Sequence, residues 1–128
     1  YVQLASEYDF VLVEGAGGLL VPLTEDQNYV DLCALLDLPM VVVARNVLGT
    51  INHTALTVTV AAQRCHVCGI VLNTLEPQDS DSSQASNIAS LRRWGRAPLL
   101  GAVPYTREHT AEALAHLGAG IDVAALLT

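Results

Sequence analysis

The stretch Leu38-Pro39-Met40-Val41-Val42-Val43-Ala44 is apolar at every position and rich in β-branched residues. A strand with one wet face alternates apolar and polar side chains, whereas unbroken hydrophobicity means burial on both faces. The segment therefore reads as a parallel strand between two helix layers. Working outward, Tyr29 to Leu36 has a helical pattern, with Asn28 placed to cap it and Asp31 near its amino end. Further upstream, Phe10-Val11-Leu12-Val13 is a short apolar run followed at once by Glu14 and a glycine cluster. It reads as a first buried strand ending in a loop.

Downstream, Gly49-Thr50-Ile51-Asn52 opens a helix running to about Arg64. Its threonines, Thr54, Thr57 and Thr59, lower intrinsic helix propensity, so packing must hold it. Val67 to Asn73 is the third expected strand, Glu76 to Ser82 a polar loop, and Asp81 to Trp94 another helix. Pro98 to Val103 is the fourth strand, ending at Pro104. His109 to Leu117 and Ile121 to Leu127 are short helices separated by Gly118-Ala119-Gly120. Strands alternating with helices imply an α/β fold, an open, mostly parallel sheet with flanking helices and right-handed crossovers. No internal repeat or low-complexity linker interrupts it.

A chain of 128 residues is one domain or part of one. It is 52% hydrophobic and 15% charged, with a mean hydropathy of +0.40, so either the sheet is largely buried or some surface is covered by further chain. Pro22, Asp31, Asp37, Pro39 and Arg45 interrupt every apolar run before it reaches a membrane-spanning length. No basic segment leads into an apolar one, so nothing suggests export and a cytoplasmic location is expected. The net charge of −7 argues against a nucleic-acid footprint. All six basic residues are arginines; with no lysine, neither a P-loop nor lysine-dependent covalent catalysis can reside in this chain.

Three cysteines make a poor disulfide framework. Cys65 and Cys68 form a single C-x-x-C without a second ligand pair at zinc spacing, and two reduced thiols at a helix-to-strand junction are the expectation. Cys33 reads as a packing residue. The role of the C-x-x-C is left open.

Ligands of such sheets bind at the carboxyl ends of the strands. Those ends hold Glu14-Gly15-Ala16-Gly17-Gly18, Ala44-Arg45-Asn46, Asn73-Thr74 and Pro104-Tyr105. An acidic residue after a buried strand must be solvated, paired or bound to a cation. Glu14 suits magnesium, which takes carboxylate and phosphate oxygens together, while the glycines let the backbone approach a phosphate. A tight turn with Glu14 capping something local fits equally well. Gly49 leading into a helix start suits a carboxylate or phosphate, with ordinary capping by Thr50 or Asn52 as the alternative. His53 reads as a packing or hydrogen-bonding residue. Asn73 has both donor and acceptor for a nucleobase edge, and equally suits a turn. Arg92, Arg93 and Arg96 read as a solvated face.

Val13-Glu14-Gly15-Ala16-Gly17-Gly18, Leu48-Gly49-Thr50-Ile51-Asn52-His53 with Leu56-Thr57, Leu72-Asn73, and Pro98-Leu99-Leu100-Gly101 with Val103-Pro104-Tyr105 together resemble the dethiobiotin synthetase family. The resemblance covers nearly all of this chain but only the second half of the family's usual length. It implies a P-loop NTPase-like half-fold lacking the P-loop, with residues 1–128 forming the carboxyl-terminal part of a single domain. It also implies a cyclo-ligase of biotin biosynthesis that carboxylates 7,8-diaminopelargonate with CO2 and closes the ureido ring with ATP, as a homodimer.

By that resemblance Glu14 would hold Mg2+, and Gly15, Ala16 and Gly17 would line the nucleotide site. Asn73 and Thr74 would contact adenine, and Pro104, Tyr105 and Thr106 would form the loop over the base. Gly49, Thr50, Ile51 and Asn52 would hold the substrate's carboxylate tail across the dimer interface. No catalytic residue is expected in this chain, which alone should be inactive and should expose an edge strand toward its amino-terminal half. Two other readings are a non-catalytic assembly subunit and another P-loop relative, such as a cobyrinate-amidating or partition-type ATPase. The Leu48–His53 segment argues against the second.

Overall fold

The computed structural model describes residues 1–77 and 82–126. The elements run α1 (Val2–Glu7), α2 (Tyr29–Leu36), β1 (Met40–Arg45), α3 (Thr50–Ala61), β2 (Val67–Asn73), α4 (Gln84–Trp94), β3 (Leu99–Val103) and α5 (Ala111–Gly118), then a 3-10 turn at Ala124–Leu126. The three strands form one parallel sheet in the order β1-β2-β3. Helices connect them, as parallel pairing demands. The α/β class and parallel sheet read from the sequence are what the chain adopts.

Boundaries follow local chemistry. Asn28 caps α2 through its side chain, which accepts the Val30 amide at 3.0 Å, while Asp31 accepts the Asn28 amide at 2.8 Å. This reciprocal box satisfies donors that a helix start otherwise leaves unpaired. Asp37 ends α2 in the left-handed conformation. Gly49 starts α3 at φ +92°, where a side chain is strained. Gly95 follows α4 as its C-cap, and glycine is required there because a Cβ would lie 2.6 Å from the Leu91 carbonyl and 2.7 Å from Ile70 Cδ1. The helix expected from Asp81 begins at Gln84; Asp81 itself, most of the 76–82 loop and Leu127 lie outside the described residues.

One face of the sheet carries the core. Ala44, Val58, Ile70, Leu72 and Leu91 pack together there, with Val42, Ile88, Leu99 and Ala102 around them. Ile70, Leu72 and Leu91 are fully buried. Each such side chain contributes roughly 1.5–3 kcal/mol; α3 adds Val58 to this cluster and also buries Ala61, and that packing holds its threonine-rich sequence in a helix.

The expected strand at Phe10–Val13 does not form, so the sheet has three strands rather than four among the described residues. Leu12 stays 82% exposed. A strand exists only by pairing its amides and covering its apolar face, and this run has neither among the described residues. The two sheet edges differ. Along β3, the Asp122 amide donates to the Leu100 carbonyl at 2.9 Å and Gly120–Ile121 pack against Gly101, so the chain's end covers that side. The outer side of β1 pairs with no other described strand, and Val43, on the face opposite Val42 and Ala44, is 66% exposed. Continuous hydrophobicity in β1 therefore does not mean coverage on both faces here.

Candidate functional site

The carboxyl ends of all three strands meet in a buried polar network. β1 continues into Asn46, whose backbone amide donates to the Asn73 carbonyl at 2.8 Å. The Asn46 side-chain amide donates to Thr74 Oγ1 at 3.1 Å, and the Thr74 backbone amide donates to the Val103 carbonyl at 2.9 Å. From α4, Asn87 Nδ2 donates to Asn46 Oδ1 at 2.8 Å and to the Val47 carbonyl at 3.3 Å. Asn46 and Asn87 are 7% and 2% exposed. Buried amides are costly unless bonded, and these are bonded to one another. Outside them, Arg45 and Glu76 form a 2.6 Å ion pair, about half exposed on both sides and so worth little to stability.

Beside this network, α3 and α4 bound a groove of about 590 Å3. Gly49, Ile51 and Asn52 line one wall, Ser83, Ser86 and Asn87 another, and Trp94 and Arg96 the far end. Arg93 lies over the Trp94 ring, 5.1 Å from its centre, and steadies the indole by cation–π attraction. Gly49 offers no side chain to cap α3, so the helix start beside the groove has no side-chain cap. Thr50 is turned away: it is 3% exposed, its hydroxyl lies 3.5 Å from that of Thr54, and its amide donates to the Val47 carbonyl at 3.1 Å. His53 is exposed, its ring beside Gly49.

The loop after β3 leaves Pro104 and Tyr105 exposed. Thr106 is engaged locally, accepting the Glu108 amide at 3.0 Å. It also edges a second groove of about 480 Å3, formed with Glu108, Thr110, Glu112 and His116.

Asn73, Thr74, Gly49–Asn52 and the Pro104–Thr106 loop are thus linked through the strand ends. Glu14–Gly17 is placed differently. These residues are exposed; Gly15 abuts the Tyr29 ring, and Gly17, at φ +82°, abuts Val21. Val30, next to Tyr29, sits 3.9 Å by its carbonyl from Cys65 Sγ, and Asp31 pairs with Arg64. The Glu14 loop is therefore anchored through α2 to the chain just before β2, not delivered to the rim by a strand.

The Asn28 amide and Arg64 hold the Asp31 carboxyl below the usual range, whereas burial pushes the Cys33 and Cys65 thiols up. Raised thiols are poor nucleophiles. No cluster of three or more metal-ligating side chains occurs among the described residues, and none of their helices is long and apolar enough to cross a membrane.

Sequence reasoning missed Asn87, Ser86, Trp94 and Arg96 as groove residues. A signal for Asn87 was present: it stands four residues before Leu91, on the buried stripe of α4. A polar residue on such a stripe needs a partner.

Comparison with known proteins adds a family. Residues 1–113 match the AAA domain. An ATP-dependent dethiobiotin synthetase BioD of Anaeromyxobacter dehalogenans (strain 2CP-C) is 48% identical over 103 residues, 80% of this chain and 46% of that protein. Proteins of the same name from Anoxybacillus flavithermus and Bacillus cereus (strain G9842) are 42% and 40% identical. They match 80% and 82% of this chain, and 47% and 43% of their own lengths. The chain spans about half the length of the curated relatives it matches.

Proposed function

From a chain that belongs to the AAA-domain family and is similar over four-fifths of its length to dethiobiotin synthetases, we propose the carboxyl-terminal part of an ATP-dependent dethiobiotin synthetase. The reaction adds CO2 to one amine of 7,8-diaminopelargonate and phosphorylates the carbamate. The second amine then attacks, phosphate leaves, and the ureido ring closes. The observation supporting this most is the α3–α4 groove, in which a helix start without a side-chain cap lies beside Leu48, Ile51, Ala55 and Trp94. That pairing suits a carboxylate on an aliphatic tail.

In this reading Gly49, Ile51 and Asn52 hold the tail carboxylate, and Thr50 contributes by fixing the helix start rather than by its inward-turned hydroxyl. Asn73 and Thr74 meet adenine, with Pro104, Tyr105 and Thr106 over it. Glu14 would hold Mg2+, with Gly15, Ala16 and Gly17 beside the phosphates. The residues fit this: Glu14 is exposed and outside both ion pairs described, and magnesium commonly takes one or two carboxylates plus phosphate oxygens. The ion would neutralise charge on the transferring phosphoryl group.

The remaining parts, including the P-loop lysine, belong to an amino-terminal half. That half would also supply the pairing partner that Phe10–Val13 and the open side of β1 do not find among the described residues. The complete enzyme is proposed to be a cytoplasmic homodimer. The test is to join this chain to a P-loop half, or supply one in trans, and measure ADP release with diaminopelargonate and bicarbonate. Diamine-dependent turnover is expected; nucleotide binding with no response to the diamine would defeat the reading.

A further inference from the structure

The proposed nucleotide and diamine residues lie on different elements, yet one side chain stands between them. Asn46 donates through Nδ2 to Thr74 Oγ1 at 3.1 Å, on the nucleotide side. Its Oδ1 accepts from Asn87 Nδ2 at 2.8 Å, and the same Nδ2 reaches the Val47 carbonyl at 3.3 Å. That carbonyl also accepts the Thr50 amide at 3.1 Å, the bond that sets the first turn of α3. Both ends of the Asn46 amide are engaged, so its orientation is fixed by Thr74 on one side and Asn87 on the other.

We infer that Asn46 and Asn87 are positioning residues that hold Thr74 and the Val47–Gly49 turn in one arrangement, so that the nucleotide side orients the start of α3 for the diamine. This rests on the functional reading above. Three features favour it over a purely structural network. Two amides at 7% and 2% exposure occupy space that apolar side chains fill at lower desolvation cost. The network's outlets are backbone and side-chain groups at the two candidate subsites rather than the sheet interior. Finally, Gly49, at φ +92°, provides no side-chain cap, so the Val47 carbonyl is what fixes the α3 entry.

The test uses the complete enzyme with three variants: Thr74→Val, which deletes one hydroxyl, Asn46→Leu, and the two together. Thr74→Val is expected to raise the KM for the diamine about tenfold, equivalent to about 1.4 kcal/mol, although Thr74 belongs to the other ligand's side. The double variant is expected to be no worse than Asn46→Leu alone. A diamine KM within twofold of wild type for Thr74→Val, with only the ATP KM changed, overturns the inference and leaves the enzyme assignment standing. Wild-type enzyme that ignores the diamine overturns both. If Asn46→Leu does not fold, Thr74→Val alone decides, since a lost hydroxyl that merely stabilises the fold lowers Tm without moving the diamine KM.

Discussion

Asn28 and Asp31 cap α2 reciprocally: Asp31 Oδ2 accepts the Asn28 amide at 2.8 Å, and Asn28 Oδ1 accepts the Val30 amide at 3.0 Å. Arg64, in the turn between α3 and β2, pairs with the same carboxyl, so one aspartate caps α2 and ties it to that connection. Both interactions favour the ionised form and lower the Asp31 pKa. A depressed carboxyl contributes stability that is present above its unfolded value and is lost as pH falls through the folded one. Wild type should therefore exceed Asp31→Asn in stability at neutral pH. The gap should close in acid below about pH 4. Denaturant unfolding of both proteins across that range checks the sign; a gap that widens in acid contradicts it.

Gly95 and Gly118 make a contrasting pair. A Cβ at Gly95 would meet the Leu91 carbonyl at 2.6 Å and Ile70 Cδ1 at 2.7 Å, while one at Gly118 meets nothing within 4 Å. Neither glycine has the left-handed φ that would strain alanine. Gly95→Ala should destabilise by about 1–3 kcal/mol through overpacking of α4 on β2. Gly118→Ala should stabilise by about 0.4–1 kcal/mol, because alanine leaves the unfolded chain less entropy to lose. Thermal melts of the two variants should move in opposite directions.

The contrast between β2 and Phe10–Val13 shows what was legible in the sequence. Val67–Asn73 was readable residue for residue because its hydrophobicity is satisfied within this chain, between β1 and β3 and under α3 and α4. Phe10–Val13 has the same local pattern but no pairing partner among the described residues, and pattern alone cannot supply a ladder. The groove's Gly49 wall was legible for a local reason, a glycine at a helix start. Its Asn87 and Trp94 wall was not, since it depends on how α3 and α4 pack. Arg96 is exposed, as its sequence reading has it, and at φ +70° it also lines one end of the groove.

At Gly49 the backbone itself can be tested. With φ at +92° and the nearest side-chain atom of His53 3.5 Å from a built Cβ, alanine meets strain but no clash. Gly49→Ala should cost about 1–2 kcal/mol. Asparagine tolerates the left-handed region better than other side chains, so Gly49→Asn should recover part of that loss. In the complete enzyme the alanine variant should raise the diamine KM more than the ATP KM, because the start of α3 shifts while Asn73 and Thr74 keep their backbone bonds. Equal effects on both substrates would detach Gly49 from the diamine subsite.

Glu14, proposed to hold Mg2+, and Glu76 allow a metal-binding carboxylate to be told from an ordinary surface one. Glu76 is committed to Arg45 at 2.6 Å on a half-exposed surface, so Glu76→Gln should cost at most about 1 kcal/mol and leave the magnesium requirement alone. Glu14 is exposed and takes part in neither ion pair described, so Glu14→Gln should change stability by no more than about 0.5 kcal/mol. Its expected effect lies elsewhere: roughly a 100-fold loss in turnover of magnesium-ATP by the complete enzyme. Because the loop holding Glu14 is docked on Tyr29 in this chain, that loss should appear only when the P-loop half is present. Titrating magnesium against both variants reads the difference directly. A Glu14→Gln enzyme with wild-type turnover and an unchanged magnesium requirement would remove the ion from this position and leave Gly15–Gly17 as a simple turn.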